Sequence, residues 1–296
     1  MWYTLPILEQ YSRFAGVYND VRCVMTYLKA ILLGLVQGIA EFLPISSSGH
    51  LALVQALLDF DQYNVNAVAF DLMLHLGTLV AVVAAFWQDV KTLVAEGLRW
   101  ILDGFRLRNR PARRLVVLIL IATLPLVLGA LLEGYVESAF SSPLFIGVAL
   151  CFTAVLLWTA AKHSGGRKTE ADARYSDALK VGLMQLIALF PGVSRSGSTI
   201  CGGLFCGFQK DFAVRFAFLM SIPAVCGAVV FKLPDLFHGA MTAELALPCL
   251  AGFVTSALFG YLAIFTVRLL MKKNSFRWFS VYCLCAGVIA IVCSIL

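Results

Sequence analysis

Residues 37–49 read QGIAEFLPISSSG, a polar segment within sequence that is otherwise apolar enough for a membrane. A second copy, QLIALFPGVSRSG, occupies residues 185–197, 148 positions later, and shares seven residues with the first copy without a gap. We call these segments the first and second cassettes. In each, a helix-like run breaks at proline and continues into a Ser-x-Ser-Gly turn. Broken helices at membrane depth are tolerated where they line a buried or water-filled cavity. The pair therefore predicts a binding site between inverted repeats.

The composition is typical of a membrane protein. Of 296 residues, 60% are hydrophobic and 14% charged, and the mean hydropathy is +0.87. Soluble domains carry about 25% charged residues, so we predict an all-α polytopic membrane protein. The net charge of +6 lies mostly in short connections, where it orients the chain, and does not indicate nucleic acid as a partner. The nine cysteines show no metal-knuckle spacing and resemble small buried hydrophobic residues.

The apolar runs predict six transmembrane helices, because a span needs about 20 residues. The predicted spans are 66–88, 113–133, 143–162, 212–231, 247–271 and 277–296. Two further apolar segments, 27–58 and 178–207, contain the cassettes. Each of these two predicts a pair of half-helices joined by a polar tip, which is a re-entrant hairpin.

The chain is predicted to form a single membrane domain over 25–296. Its first repeat covers about 25–162 and its second about 178–296. Residues 1–24 mix charged and aromatic side chains and lack the cleavage site of a signal peptide. We expect them to be either a poorly ordered extension or the product of a start codon assigned too early, since Met25 lies just before the first apolar run.

The distribution of Lys and Arg predicts the orientation. Seven of these residues lie between 91 and 114, four between 162 and 174, and four between 268 and 277, whereas 134–142 has none. The rich connections should be cytoplasmic. Both termini then lie outside, and the first hairpin enters from the outer face and the second from the cytoplasmic face. Their tips can meet near the middle of the membrane.

The second cassette predicts an anion-binding site. Arg195 offers a charged, planar set of donors suited to phosphate, and a helix that opens at a Gly turn adds backbone N–H groups and a favourable dipole. The alternative is that Arg195 merely pairs with a carboxylate or with helix carbonyls. The other candidate substrate-binding residues of this tip are Ser194, Ser196, Gly197 and Thr199.

The first cassette predicts reactive groups, because ionisable residues inside a membrane segment are functional candidates. His50 follows Ser47 by three residues and is a candidate base or orienting group for a serine nucleophile, or an acid for a leaving group. The alternative is a core or interface histidine. Glu41 is the other candidate catalytic group, and Gln37, Ser46 and Ser48 are candidate substrate-binding residues.

A divalent cation is the predicted cofactor. Gln37 and Glu41 are four residues apart and share a helix face, and Mg²⁺ or Ca²⁺ takes carboxylate, carbonyl and phosphate oxygens. Asp71 is a candidate second carboxylate, with His75 on the same face. The alternative is that Asp71 and His75 bond to each other or mark the edge of a span.

Both cassettes resemble the signatures of the undecaprenyl-diphosphate phosphatase family, also known as bacitracin-resistance proteins. The resemblance covers about residue 25 to the C-terminus. It implies removal of the terminal phosphate of undecaprenyl diphosphate with the help of a divalent cation. By position it implies an essential Glu41, a proposed nucleophile at Ser47, and required residues at His50 and Arg195. Gln37 fills a place that is either Glu or Gln, while Ser194, Ser196 and Thr199 fall at positions thought to contact phosphate.

The residues and the resemblance together predict an enzyme of the bacterial plasma membrane, with its mouth on the extracytoplasmic side. It would recycle the lipid carrier for peptidoglycan synthesis and confer bacitracin resistance. The expected partners are a long-chain polyprenyl diphosphate, the bilayer and, in addition, a second copy in a homodimer. Two chemical routes stay open, with either Ser47 or water as the nucleophile. The main rival is a polyprenyl-phosphate flippase, because broken inverted repeats also occur in transporters.

Overall fold

The computed structural model describes residues 26–58, 65–106, 110–163, 166–238, 243–272 and 276–295. The extension predicted at 1–24 lies outside these ranges. The described residues form twelve α-helices and one 3₁₀ helix, which confirms the all-α membrane class. In chain order they are α1 (Tyr27–Phe42), α2 (Ser47–Leu57), α3 (Val65–Ala85), α4 (Trp87–Leu102), α5 (Pro111–Thr123), the 3₁₀ helix (Leu124–Leu132), α6 (Glu133–Phe140), α7 (Pro143–Lys162), α8 (Tyr175–Ile187), α9 (Arg195–Phe205), α10 (Lys210–His238), α11 (Ala243–Lys272) and α12 (Phe276–Ile295).

The first hairpin consists of α1 and α2, and its break follows from the local sequence. Leu43 takes a ψ of 142°, the extended conformation that a following proline imposes, and Pro44 has no N–H to continue the helix. Ser46 then adopts a φ of +72°, which is uncommon for a residue other than glycine. Its hydroxyl accepts a hydrogen bond from the Gly49 N–H at 3.3 Å and caps α2.

The second hairpin, α8 and α9, repeats this construction. Gly192 turns the chain with a φ of +91°, a conformation open to glycine at low cost. The hydroxyl of Ser194 accepts from the Gly197 N–H at 3.0 Å and caps α9. The two cassettes therefore end in the same serine-capped turn.

Five helical segments are long and apolar enough to cross a membrane, and a sixth is present if α3 and α4 count as one broken span. The five are Pro111–Gly129, Pro143–Lys162, Lys210–Val230, Ala246–Met271 and Phe276–Ile295. They overlap the five predicted spans that follow 66–88.

The predicted span 66–88 is wrong at its end. Helix α3 stops at Ala85, and α4 leaves it at 90°. The bend is at Phe86, whose buried ring packs 6.0 Å from the ring of Phe218. The guanidinium of Arg268 covers the same ring at 5.5 Å. Phe86 has a φ of −115° and a ψ of 31°, outside the helical conformation, and these contacts with other helices hold its side chain.

The structure adds two helices where the sequence indicated connections. Residues 87–102 form α4, whose exposed apolar side chains include Val94 and Leu98. Its charged residues and these exposed apolar side chains suit a helix that lies in the membrane interface. Segment 134–142 likewise contains most of α6.

Helices of the first half of the chain pack against helices of the second half. Helix α1 packs on α11 and α8 packs on α5, while α7 and α12 pack on each other. Helices α5 and α11 occupy equivalent places in the two repeats, as do α7 and α12. These contacts are the ones that a two-fold relation produces, although the boundaries of the repeats stay a prediction.

The charged connections meet at one end of the helix bundle. Arg215, near the start of α10, donates to Asp89 of α4 at 2.6 Å and to Glu170 of the 166–174 segment at 2.9 Å. Two of the connections rich in Lys and Arg therefore lie at the same end, as the predicted orientation requires. The side of the membrane that this end faces stays a prediction.

Candidate active site

The two hairpin tips are in contact, and a glycine of each tip lies at this contact. A Cβ atom on Gly49 would lie 3.0 Å from the Cα of Gly192, so the backbones are too close for a side chain there. The hydroxyl of Ser196 donates to the Leu43 carbonyl at 3.0 Å and ties the second tip to the first. The end of α1 and the starts of α2 and α9 thereby converge on one site.

Glu41 is the centre of this site. Its carboxylate is buried and pairs with the guanidinium of Arg195 from the other repeat. Its second oxygen, Oε2, accepts from Ser47 Oγ at 2.5 Å and from Gln37 Nε2 at 3.0 Å. Arg195 thus pairs with a carboxylate, as the alternative interpretation held, and that carboxylate belongs to the predicted site. The arrangement joins three of the four predicted catalytic residues, with Gln37 beside them.

His50 lies apart from Ser47 in its described contacts. Its Nδ1 is 2.8 Å from the carbonyl oxygen of Ser46, and its Nε2 is 2.7 Å from the hydroxyl of Tyr282. The hydroxyl proton of Ser47 points to Glu41 instead. The sequence-based pairing of Ser47 with His50 is therefore replaced by a pairing of Ser47 with Glu41.

The remaining hydroxyls of the tips mainly shape the backbone. Ser48 Oγ lies 3.4 Å from Ser46 Oγ, and Ser194 Oγ lies 3.3 Å from Ser196 Oγ. Thr199 donates within α9, to the Arg195 carbonyl at 2.8 Å. The role of these residues in substrate binding stays a prediction.

The candidate metal ligands separate into two groups. Gln37 Oε1 is buried beside Glu41 and has no hydrogen-bond partner, while Gln37 Nε2 contacts His75 Nδ1 at 2.8 Å. Asp71 Oδ1 accepts from Gln55 Nε2 at 2.8 Å. Within the described ranges, no three His, Cys, Asp or Glu side chains converge. An unpartnered oxygen next to a carboxylate fits a hard divalent cation whose other ligands are substrate phosphate and water.

The comparison with known proteins identifies the family. The family described as bacitracin resistance protein BacA matches residues 30–289, which include both cassettes. The chain belongs to this family. The resemblance predicted from the cassettes is thus confirmed.

Relatives of this BacA-family protein share most of its length and bear the name undecaprenyl-diphosphatase. The one from Methanosphaera stadtmanae is 42% identical over 281 residues, covering 92% of this chain and 99% of the relative. The one from Alkaliphilus metalliredigens is 41% identical over 278 residues, covering 92% and 100%. The one from Rubrobacter xylanophilus is 42% identical over 262 residues, covering 88% and 95%.

Sequence reasoning missed two residues around this BacA-family site. Thr153 of α7 is buried, and its hydroxyl donates to the Gly192 carbonyl at 2.9 Å and accepts from the Ser194 N–H at 3.1 Å. It thereby fixes the second tip. Tyr282 of α12 reaches His50. The sequence signal for each residue was a single polar side chain within an apolar span. No local pattern linked either residue to the cassettes.

Proposed function

We propose that this chain is an integral membrane phosphatase that hydrolyses undecaprenyl diphosphate to undecaprenyl phosphate and inorganic phosphate. The observation that carries the proposal is the contact of Glu41 with both Ser47 and Arg195. It unites a candidate nucleophile, a candidate base and a phosphate-binding cation in one buried site. The relatives named undecaprenyl-diphosphatase support the identity of the substrate.

In the proposed first step, Ser47 Oγ attacks the terminal phosphorus, and its proton passes to Glu41 Oε2, which is 2.5 Å away. The bond from that phosphorus to the bridging oxygen breaks, and its electron pair leaves with undecaprenyl phosphate. Water then attacks the phosphoserine, the proton on Glu41 returns to Ser47 Oγ, and H₂PO₄⁻ leaves. We prefer Ser47 to water as the nucleophile because its hydroxyl already donates to the candidate base.

Arg195 is proposed to bind the terminal phosphate. It is the first residue of α9, so its guanidinium and the N-terminal end of the helix both favour a negative charge at the same place. Phosphoryl transfer depends mostly on such positioning and charge stabilisation. An incoming phosphate would share Arg195 with Glu41 Oε1, while Oε2 keeps the hydrogen bond from Ser47 and takes its proton.

A divalent cation, Mg²⁺ or Ca²⁺, is proposed as the cofactor, held by Glu41 and by the unpartnered Gln37 Oε1. When bound, it would neutralise charge on the phosphate oxygens. Asp71, bonded to Gln55, is the weaker candidate ligand. The protein's own part is to keep the Gln37 oxygen free, with its amide nitrogen already committed to Glu41 and His75.

The cellular setting is proposed from the charge distribution. Multiple apolar helices and the family support a multi-pass membrane protein. We place it in the bacterial plasma membrane, with the active site open to the extracytoplasmic side and the prenyl chain in lipid. Recycling of the lipid carrier there would serve cell-wall synthesis and bacitracin resistance.

The homodimer expected from the sequence is tested by measuring the molar mass of the purified protein by light scattering in detergent.

The flippase alternative is less well supported. A carrier needs a group that binds phosphate, such as Arg195, but it has no use for a serine hydroxyl that donates to a buried carboxylate. The Ser47–Glu41 contact therefore favours hydrolysis.

The test is phosphate release from a long-chain prenyl diphosphate by the purified protein in detergent, with Mg²⁺, with Ca²⁺ and with chelator. Ser47→Ala and Arg195→Ala should each reduce release by about 100-fold or more. Ser138→Ala and Arg99→Ala, at exposed positions outside the site, are the matched controls. A folded parent that binds the lipid but releases no phosphate would favour the flippase.

A second measurement distinguishes the two chemical routes. Acid quenching with substrate labelled in the terminal phosphate should trap phosphoserine at Ser47, located by peptide mass. Complete turnover without any labelled protein would instead favour water as the nucleophile.

A further inference from the structure

Tyr282, on the last helix, contacts the candidate site in a way that the proposed reaction does not use. Its hydroxyl lies 2.7 Å from His50 Nε2. The two rings also stack, with centroids 5.6 Å apart and planes at 14°. His50 of the first repeat therefore has both a hydrogen bond and a stacking partner from the second repeat.

The contacts of His50 define its neutral form. The carbonyl oxygen of Ser46, 2.8 Å from Nδ1, can only accept a hydrogen bond, so Nδ1 must carry the proton. Nε2 then has the lone pair and accepts from the hydroxyl of Tyr282. If Nε2 becomes protonated, the same hydroxyl can rotate and accept instead. Tyr282 can therefore hold Nε2 in both protonation states.

Tyr282 is itself held in place by its neighbours on α12. The hydroxyl of Ser280 donates to the Ala154 carbonyl of α7 at 2.6 Å. The buried thiol of Cys283 lies 3.7 Å from the carbonyl oxygen of Pro44 in the first cassette. These contacts fix this turn of α12 against both α7 and the first tip, so the tyrosine ring approaches His50 from a rigid support.

We infer that Tyr282 is a positioning residue for His50: the Ser46 carbonyl keeps the neutral ring in the Nδ1–H form, and the Tyr282 hydroxyl holds its Nε2 at the exposed rim of the site. Glu41 is only 6% exposed, whereas Tyr282 is 46% exposed, so His50 stands between the buried centre and the surface. At that rim the ring would meet the lipid-linked phosphate, because the prenyl chain must stay on the lipid side. The kinetic test of this inference rests on the proposed function.

The kinetic test is a double-mutant cycle of Tyr282→Phe and His50→Ala, measured as kcat/KM for the prenyl diphosphate. Tyr282→Phe keeps the ring and removes the hydroxyl, and we expect a loss of roughly five- to tenfold. In the His50→Ala background the same change should have no further effect, since a residue that acts through His50 has nothing left to position. An equal loss in both backgrounds would overturn the inference.

The matched control is Tyr261→Phe. Tyr261 is a 49% exposed tyrosine on α11 and lies outside the candidate site. We expect its kcat/KM to stay within about twofold of the parent value. If Tyr261→Phe lowered kcat/KM as much as Tyr282→Phe does, loss of any partly exposed tyrosine hydroxyl would be sufficient to reduce activity. That result would contradict a specific role for Tyr282.

The second readout does not depend on activity. With ¹⁵N-labelled histidine, the protein's four His residues give few signals, and the signal of His50 is the one lost in His50→Ala. The parent should show a protonated Nδ1 and a hydrogen-bonded Nε2, and Tyr282→Phe should shift the Nε2 signal to that of a free lone pair while Nδ1 stays protonated against the Ser46 carbonyl. An unchanged His50 spectrum in Tyr282→Phe would overturn the inference. If the parent releases no phosphate, the proposed function fails while this spectrum still decides the role of Tyr282.

Discussion

At the scale of single residues, the site depends on a buried carboxylate that is fully engaged. Removing a carboxylate from water is costly unless it is paired and hydrogen-bonded, and Glu41 has Arg195, Ser47 and Gln37 around it. The same contacts orient Ser47 for attack. The Glu41 side chain therefore contributes both to the stability of the fold and to the proposed reaction, so substitutions of Glu41 should affect both.

Glu41→Gln should abolish most of the activity. The amide keeps the shape of the side chain but cannot take the proton of Ser47, and general-base catalysis contributes about 10²- to 10⁴-fold. Phosphate release measures the loss, and Glu133→Gln, at an exposed position on α6, is the control. Retention of more than a tenth of the parent rate would contradict the role of Glu41 as base.

Gln37→Glu should strengthen the dependence on the cation. Two carboxylates four residues apart repel each other, and a divalent ion between them relieves the repulsion. We expect a lower melting temperature than the parent in chelator, and a larger gain on adding Mg²⁺. Thermal unfolding in detergent measures both values. An Mg²⁺-induced gain no larger than that of the parent would place the cation away from Gln37.

At the scale of helices, close contact depends on glycine. A Cβ on Gly38 would lie 2.7 Å from the Ser256 carbonyl oxygen, and one on Gly34 would lie 2.6 Å from that of Gly252. These glycines let α1 and α11 touch along their backbones, which is the small-residue packing used between membrane helices. The first cassette is held by this contact, because α1 ends at the site.

Gly38→Ala should destabilise the protein by about 1–3 kcal/mol, the usual cost of overpacking. Gly97→Ala is a matched control, because a Cβ there meets nothing within 4 Å. In the helix α4 it should be neutral or stabilising by up to about 1 kcal/mol. Melting temperatures of the two variants in detergent compare them. Equal temperatures would show that α1 can move away from α11 without cost.

At the scale of the whole molecule, neither repeat contains a complete site. Glu41 and Ser47 come from the first half and Arg195 from the second, and each hairpin also packs on a helix of the other half. The ion pairs of Arg215 hold charged connections together at one end of the bundle. The predicted orientation places that end in the cytoplasm.

Cysteine labelling tests this orientation. In a background without native cysteines, Ser138→Cys on α6 should react with an impermeant maleimide from the extracytoplasmic side. Arg167→Cys, in an exposed part of a basic connection, should react only from the cytoplasmic side. The fraction labelled in intact cells gives the answer. Cytoplasmic labelling of position 138 would reverse the predicted topology.

The sequence by itself determined the membrane class, five of the six spans, both hairpins and the family. These properties are local, since the length of an apolar run, the break at Pro44 and a serine cap at Ser46 depend on residues close together in the chain. The cassettes also predicted Glu41 and Arg195 as site residues, because charge is rare at membrane depth, and the two side chains pair in the structure.

Only the tertiary structure decided which groups touch. In the structure, the hydroxyl of Ser47 donates its hydrogen bond to Glu41 rather than to His50. Tyr282, 232 positions away in the chain, contacts the ring of His50. The tertiary structure also turned the chain by 90° at Phe86, whose ring packs against Phe218 of a distant helix. The physical reason is common to all three, because side-chain partners are set by how distant helices pack, and no local pattern records that packing.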